Sequence, residues 1–179
     1  MRSSKSLTGV VGLTTGVLAL AGAVPLAGAW SAAAAAVVKP CAPTQIKVSH
    51  GGSQGAAGTT YIPIIFTDTA GACAIWGVPG IQPVVGAMHR PVGPAARNIS
   101  MGQMPVRHVL TKGRSVSAGI GVVDAGNFSP GSCGARAADG VMVSLGTFVH
   151  SKYVHLAITV CTKRSSVTTR LVVAGVSGS

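Results

Sequence analysis

Gly51, Gly52, Ser53, Gln54 and Gly55 spell G-x-S-x-G, the pattern of a serine nucleophile. That chemistry needs a strained strand-to-helix turn that lifts the serine into reach of a base. Here a glycine-rich stretch runs into a β-branched segment and no α/β alternation follows, so the match reads as chance glycine richness. Partners for a triad would come from Asp68, Asp124 and Asp139 with His50, His89, His108, His150 and His155, and nothing in the sequence brings a set together. The chain has no glutamate, so a carboxylate pair flanking one bond, as in glycosidases, is poorly supplied. His150 and His155 flank Ser-Lys-Tyr-Val in a stretch that reads as a solvent-facing turn; they lack metal-ligand spacing, and Lys152 between them would repel a cation. Asn98-Ile99-Ser100 is a glycosylation sequon by letter, which a bacterial origin would leave idle. These residues point to no catalysis, no metal and no cofactor.

Four cysteines, Cys41, Cys73, Cys133 and Cys161, all follow residue 40. They show no C-x-x-C spacing for zinc, and their even number suits disulfides in an exported chain. Four cysteines permit three connectivities. Nearest-neighbour pairing would close two loops of about thirty residues, each adding ~3–4 kcal/mol on the chain-entropy estimate. Oxidised cysteines also leave no thiolate for catalysis.

Export is read from the N-terminus. Arg2 and Lys5 precede an uncharged stretch of Val, Leu, Gly and Ala, then Pro25 and the A-x-A site Ala27-Gly28-Ala29. This is the tripartite pattern of a secretory signal peptide, over residues 1–29, with cleavage after Ala29. No Arg-Arg pair is present, which favours the general secretory route. Val38-Lys39-Pro40 before Cys41 is a poor lipoprotein box. The alternative is an uncleaved N-terminal membrane anchor, since the uncharged run over 6–38 is long enough to span. Residues 30–40 read as a short linker, 41–175 as one domain and 176–179 as a tail.

That domain is strongly basic. Twelve lysines and arginines follow residue 30 against three aspartates, a formal +9. Such a field holds a protein near polyanions, here anionic cell-envelope polymers or lipid head groups. The bases are dispersed and aromatics are few, unlike a specific nucleic-acid reader.

The elements that must position these residues are strands. Val, Ile, Thr and Ser recur with a period of two, which predicts strands over 45–50, 59–67, 73–76, 81–85, 88–92, 104–110, 115–123, 140–145, 155–161 and 167–173. Pro63 suggests an edge or bulge. Gly86 marks a hairpin, and residues 51–58, 93–103 and 124–134 read as loops. On the long 115–123 strand, Val116, Ala118, Ile120 and Val122 share one face. About eight short strands in one domain suggest a Greek-key β-sandwich, with a barrel as alternative.

Further residues occur in a recognisable order: Cys41 with Gln45-Ile-Lys-Val48, residues 55–61, Phe66-Thr-Asp-Thr69, Cys73, and Trp76-Gly-Val-Pro-Gly80. Leu110-x-x-Gly113, Asp124-Ala-Gly-Asn-Phe128, Cys133, Gly140-Val141 and Cys161 follow. Over about 41–175 the chain resembles the actinobacterial exported family called domain of unknown function 4232. The resemblance implies an immunoglobulin-like sandwich, secreted or surface-tethered, with sequential disulfides and no assigned activity. Lys112 and Asp68 depart from the family's usual Pro and Asn. Trp76 beside Cys73 is expected to pack on a disulfide in the core.

The expected function is therefore a secreted, non-catalytic binding or structural module at the bacterial envelope. The alternatives are an envelope-directed hydrolase, and a secreted effector or antigen that binds a host protein or lipid. For recognition, the loops at 51–58 and 124–128 are the candidates, with Arg97, Arg107 and Arg114 as anion contacts.

Overall fold

A computed structural model describes residues 37–178. The segment expected to be a signal peptide, most of the expected linker and Ser179 lie outside the described residues. Among the described residues, no helix is long and apolar enough to cross a membrane.

The domain is all-β, and two sheets enclose one hydrophobic core. The larger sheet is built on β3 (Thr59–Asp68) and β9 (Ser115–Val123). On one side of β3 run β1 (Ile46–His50) and, further along, β2 (Gln54–Ala56). On the far side of β9 run β12 (Val167–Thr169) and β13 (Val173–Ala174), and β7 (Arg97–Asn98) pairs with β12 in parallel. The smaller sheet has the order β11 (Val149–Cys161), β10 (Ala135–Leu145), β5 (Gly80–Val85), β6 (Arg90–Pro91). A two-stranded ribbon pairs β4 (Cys73–Ile75) with β8 (His108–Leu110).

The period-two pattern explains the core. Ile62, Ile64 and Phe66 of β3 and Val116, Ala118, Ile120 and Val122 of β9 are buried. They face Val141, Val143, Val154 and Leu156 from the smaller sheet within one cluster. Lys152 ties the sheets at one edge by donating from Nζ to the Ile46 carbonyl.

Several expected boundaries move for physical reasons. Pro63 lies in a strand paired on both sides, not at an edge. Its carbonyl accepts from the Gly51 amide at 2.9 Å, so its missing N–H falls on the same side, where the chain crosses from β1 to β2 and no ladder is needed. The 51–58 loop contains β2. The alternation over 104–110 yields strand only at β8, because residues 104–107 are exposed and have no core to face. The 93–103 stretch contains β7, the 124–134 loop holds a 3-10 turn (Ala125–Asn127) and one helical turn (Pro130–Cys133), and 167–173 breaks into β12 and β13. His150 and His155 lie on strand β11 rather than a turn; both are exposed, and a register irregularity between 149 and 152 keeps the neighbouring Val149 and Val154, also five residues apart, both in the core.

Both disulfides are sequential: Cys41–Cys73 and Cys133–Cys161. They lock opposite ends of the domain. Near Cys73, the end of β3 meets the start of β9, where the Gly113 amide donates to the Asp68 carbonyl at 2.8 Å. At the other end the Asp124 amide donates to the Gly58 carbonyl at 2.8 Å, and Cys133–Cys161 closes the start of β10 on the end of β11. Trp76 is half-buried; its ring meets Phe148 edge-on at 4.4 Å, and the Arg107 guanidinium lies 4.6 Å from its centroid.

Candidate binding surfaces

The two loops singled out for recognition are brought together. Asn127 donates from Nδ2 to the Gly58 carbonyl at 2.9 Å, and Asp124 caps its own turn by accepting the Gly126 amide at 2.8 Å. Beside them opens a cleft of about 530 Å³ between the two sheets. Its apolar floor includes Ile62, Val122 and Leu156, and its rim includes His50, Ser53, Thr60 and Asp124. Ser53 of the G-x-S-x-G match therefore shares a cleft with a histidine and an aspartate. No hydrogen bond joins the three: the His50 ring is engaged by the Gly51 carbonyl at 2.8 Å, and Asp124 is occupied by its cap. The serine follows a strand and leads into β2, so the strained strand-to-helix turn is missing.

A second groove, about 610 Å³, lies on the outer face of the larger sheet. Tyr61, Pro63 and Ile65 form one wall, Gly119 the floor, and Arg170 and Val176 the other side. Arg170 stands 6.0 Å from the Tyr61 ring centroid, at the limit of a cation–π contact. The expected tail folds back here: the Gly178 amide donates to Ser117 Oγ at 2.8 Å. The floor must be glycine, because a Cβ on Gly119 would lie 2.5 Å from the Gly178 carbonyl oxygen. The signal for this groove was the small outward set Ser117, Gly119, Gly121 on β9, read at first only for its buried counterpart.

The three arginines are not at these loops. Arg107 and Arg114 line a shallow depression at the opposite end, with Gly113 and Ala174. Arg107 also donates to the Val38 carbonyl. Arg97, on β7, pairs with Thr168 and is exposed. Arg107 and Arg114 therefore form a surface apart from the loops, while Arg97 lies at the sheet edge, level with Gly121 across β12.

A third cluster was missed in the sequence. On the outer face of the smaller sheet, His89 stacks on Tyr153 with centroids 4.2 Å apart. Tyr153 Oη donates to the Asp139 carbonyl at 3.2 Å and lies 3.4 Å from His155 Nδ1. The ring covers Gly140, where any Cβ would collide with it. Desolvation against the sheet, then the Asp139 charge, raise the Tyr153 phenol above its ordinary 10.0. Among the described residues, no cluster of His, Cys, Asp or Glu has the arrangement of a metal site.

Charge is distributed unevenly between these groups. Asp68 is buried and its Oδ1 accepts from the Ala70 amide and Gln45 Nε2; Asp139 Oδ2 accepts the Gly86 amide at 2.8 Å. With Asp124 capping its turn, all three carboxylates serve the backbone or a glutamine. Eleven of the twelve basic side chains are exposed, and only Lys152 is partly buried.

The molecule is thus a disulfide-locked, two-sheet β domain with a cationic exterior. Residues 41–177 match the family described as Domain of unknown function (DUF4232), and the chain belongs to that family. No curated protein matches it.

Proposed function

We propose that this protein is an exported, non-catalytic module that holds to polyanionic material at the cell envelope. The observation supporting this is the surface charge: eleven of the twelve basic side chains are exposed, while Asp68 is buried, Asp139 is partly buried and Asp124 alone of the acids is exposed. Buried disulfides fit an oxidising compartment. The signal peptide, the actinobacterial origin and the immunoglobulin-like character implied by the family resemblance belong to the same reading.

The test is co-sedimentation with washed envelope across a salt series. Screening lengths shrink from about 8 Å near physiological salt to about 3 Å at 1 M, so binding through exposed charges should be lost over that range. Arg97→Ser, Arg107→Ser and Arg114→Ser together should shift release to lower salt. Retention that ignores salt and these substitutions would refute the proposal. An envelope-directed hydrolase is the second reading, favoured only by Ser53, His50 and Asp124 sharing a cleft.

A further inference from the structure

Between β7 and β8 the chain forms a projecting loop with an unusual surface. Met101 is 86% exposed, Met104 85% and Val106 62%; Ile99 and Val109 at its feet are also exposed. The loop is held firmly. The Ile99 amide donates to the Thr169 carbonyl at 3.0 Å, and the Leu171 amide to Ser100 Oγ at 2.9 Å. The Ser100 amide is capped by Asn98 Oδ1 at 2.8 Å, and Gln103 closes a turn onto the Ser100 carbonyl at 3.1 Å. His108 Nε2 lies 3.0 Å from the Val172 carbonyl beyond it. Ser100 is buried and anchors the turn, whereas Met101, next to it, and Met104, four places on, face solvent and add nothing to the core. The loops at 51–58 and 124–127 carry only small and polar residues.

The exposed charge nearby is cationic, since Asp68, whose backbone pairs with Gly113 and Arg114, is buried. No acid occurs between Asp68 and Asp124, while Arg97, Arg107, Lys112 and Arg114 all do. Arg97 stands before the loop and Arg107 at its end, sharing a depression with Arg114. The Val38 carbonyl accepts from Arg107 at the same foot. An exposed apolar loop with a base at each foot is an arrangement that suits an anionic bilayer, with side chains among the acyl boundary and bases at phosphate depth. A soluble polyanion would use the arginines and leave the methionines idle.

We infer that residues 99–106 form a membrane-contacting loop that inserts Met101, Met104 and Val106 into an anionic lipid surface, with Arg97, Arg107 and Arg114 on the headgroup phosphates. This rests on the proposed anion-seeking function and names its partner.

The exported protein is sedimented with phosphatidylcholine vesicles, with vesicles containing phosphatidylglycerol, and with polyphosphate as a soluble competitor. M101S/M104S/V106S, with an unchanged thermal midpoint, should bind phosphatidylglycerol vesicles about tenfold or more weakly, since each buried apolar side chain contributes substantially to partitioning. Its retention by polyphosphate should not change. Peroxide footprinting of the unaltered protein supplies a second readout. Vesicles should protect Met101 and Met104 from oxidation and spare Met88, which is exposed beyond the far end of β5. Equal vesicle binding by the variant, or unprotected methionines, overturns the insertion. Binding to polyphosphate but not to vesicles overturns the lipid partner and leaves the charge reading standing; binding to neither overturns both. A wild-type dimer that the variant dissociates would assign the loop to a second copy and also overturn it.

Discussion

Removing the disulfides one at a time should have equal and additive effects. The two closed loops span sequence separations of 32 and 28 and do not overlap. Loop-closure entropy gives each about 3.5 kcal/mol of stabilisation, through the freedom denied to the unfolded chain. A domain of this size shifts its midpoint by roughly 2–4 °C per kcal/mol, so Cys41→Ala with Cys73→Ala should lower it by roughly 7–14 °C. Cys133→Ala with Cys161→Ala should do the same. The bridges sit at opposite ends of strands of about nine or ten residues, roughly 30 Å, so the two losses should add. Their sum, about 7 kcal/mol, approaches the whole stability of a typical domain, and the four-alanine chain should be largely unfolded at 37 °C. Differential scanning calorimetry of the three variants, with the unaltered protein under reductant as control, measures this. Reduction leaves thiols in place, so any difference between reduced protein and alanine variant reports the cavity left at these buried sites. A midpoint lowered by less than about 2 °C for either pair would refute the loop-entropy reasoning.

Two further tests address buried polar groups. Asp68→Ala strips the acceptor from the Ala70 amide and from Gln45 Nε2 and should cost about 2–3 kcal/mol by denaturant unfolding. Asp68→Asn keeps Oδ1 and removes a charge whose Oδ2 is buried without a partner, so it should stay within about 1 kcal/mol of wild type; equal losses in the two variants would show that the hydrogen bonds are not what Asp68 supplies. For Tyr153, the absorbance titration of wild type minus Tyr153→Phe should have its midpoint above 10.0. A raised folded pKa means that the unfolded chain deprotonates first, so the contribution of this residue to stability is intact below 10.0 and is lost as pH rises through the folded value; a midpoint at or below 10.0 would contradict the desolvation of the phenol against the sheet together with the nearby Asp139 charge.

Strands with a continuous buried face were legible in the sequence. β3 and β9 alternate because every second side chain meets the core, and their ends were read to within one residue. Pairing between distant segments was not legible. β2, β7, β12 and β13 are two or three residues long, and their place follows from the strand they lie against rather than from their own periodicity. Residues 104–107 show the converse error. Their alternation is real, but Met104 and Val106 face water, because period two records which residues share a face and not whether anything covers that face. The two loops singled out from sequence meet beside a cleft, whereas grouping Arg107 and Arg114 with them does not hold in space.

That failure changes where the electrostatics act. Had the arginines ringed the cleft at 51–58 and 124–128, charge and cavity would have described one ligand site. Arg107 and Arg114 lie instead at the end where β3 finishes and β9 begins, while Arg97, paired with Thr168, sits level with Gly121 toward the other end of β9. Arg136, Lys163 and Arg164 are exposed around the 124–134 segment beside the cleft, so bases face solvent at both ends of the domain. Attraction through exposed charge needs no specific geometry, so such a surface can be satisfied by many polyanions. Discrimination among small ligands needs a concave, partly apolar site with few polar groups, and the cleft and the Tyr61–Arg170 groove have that character.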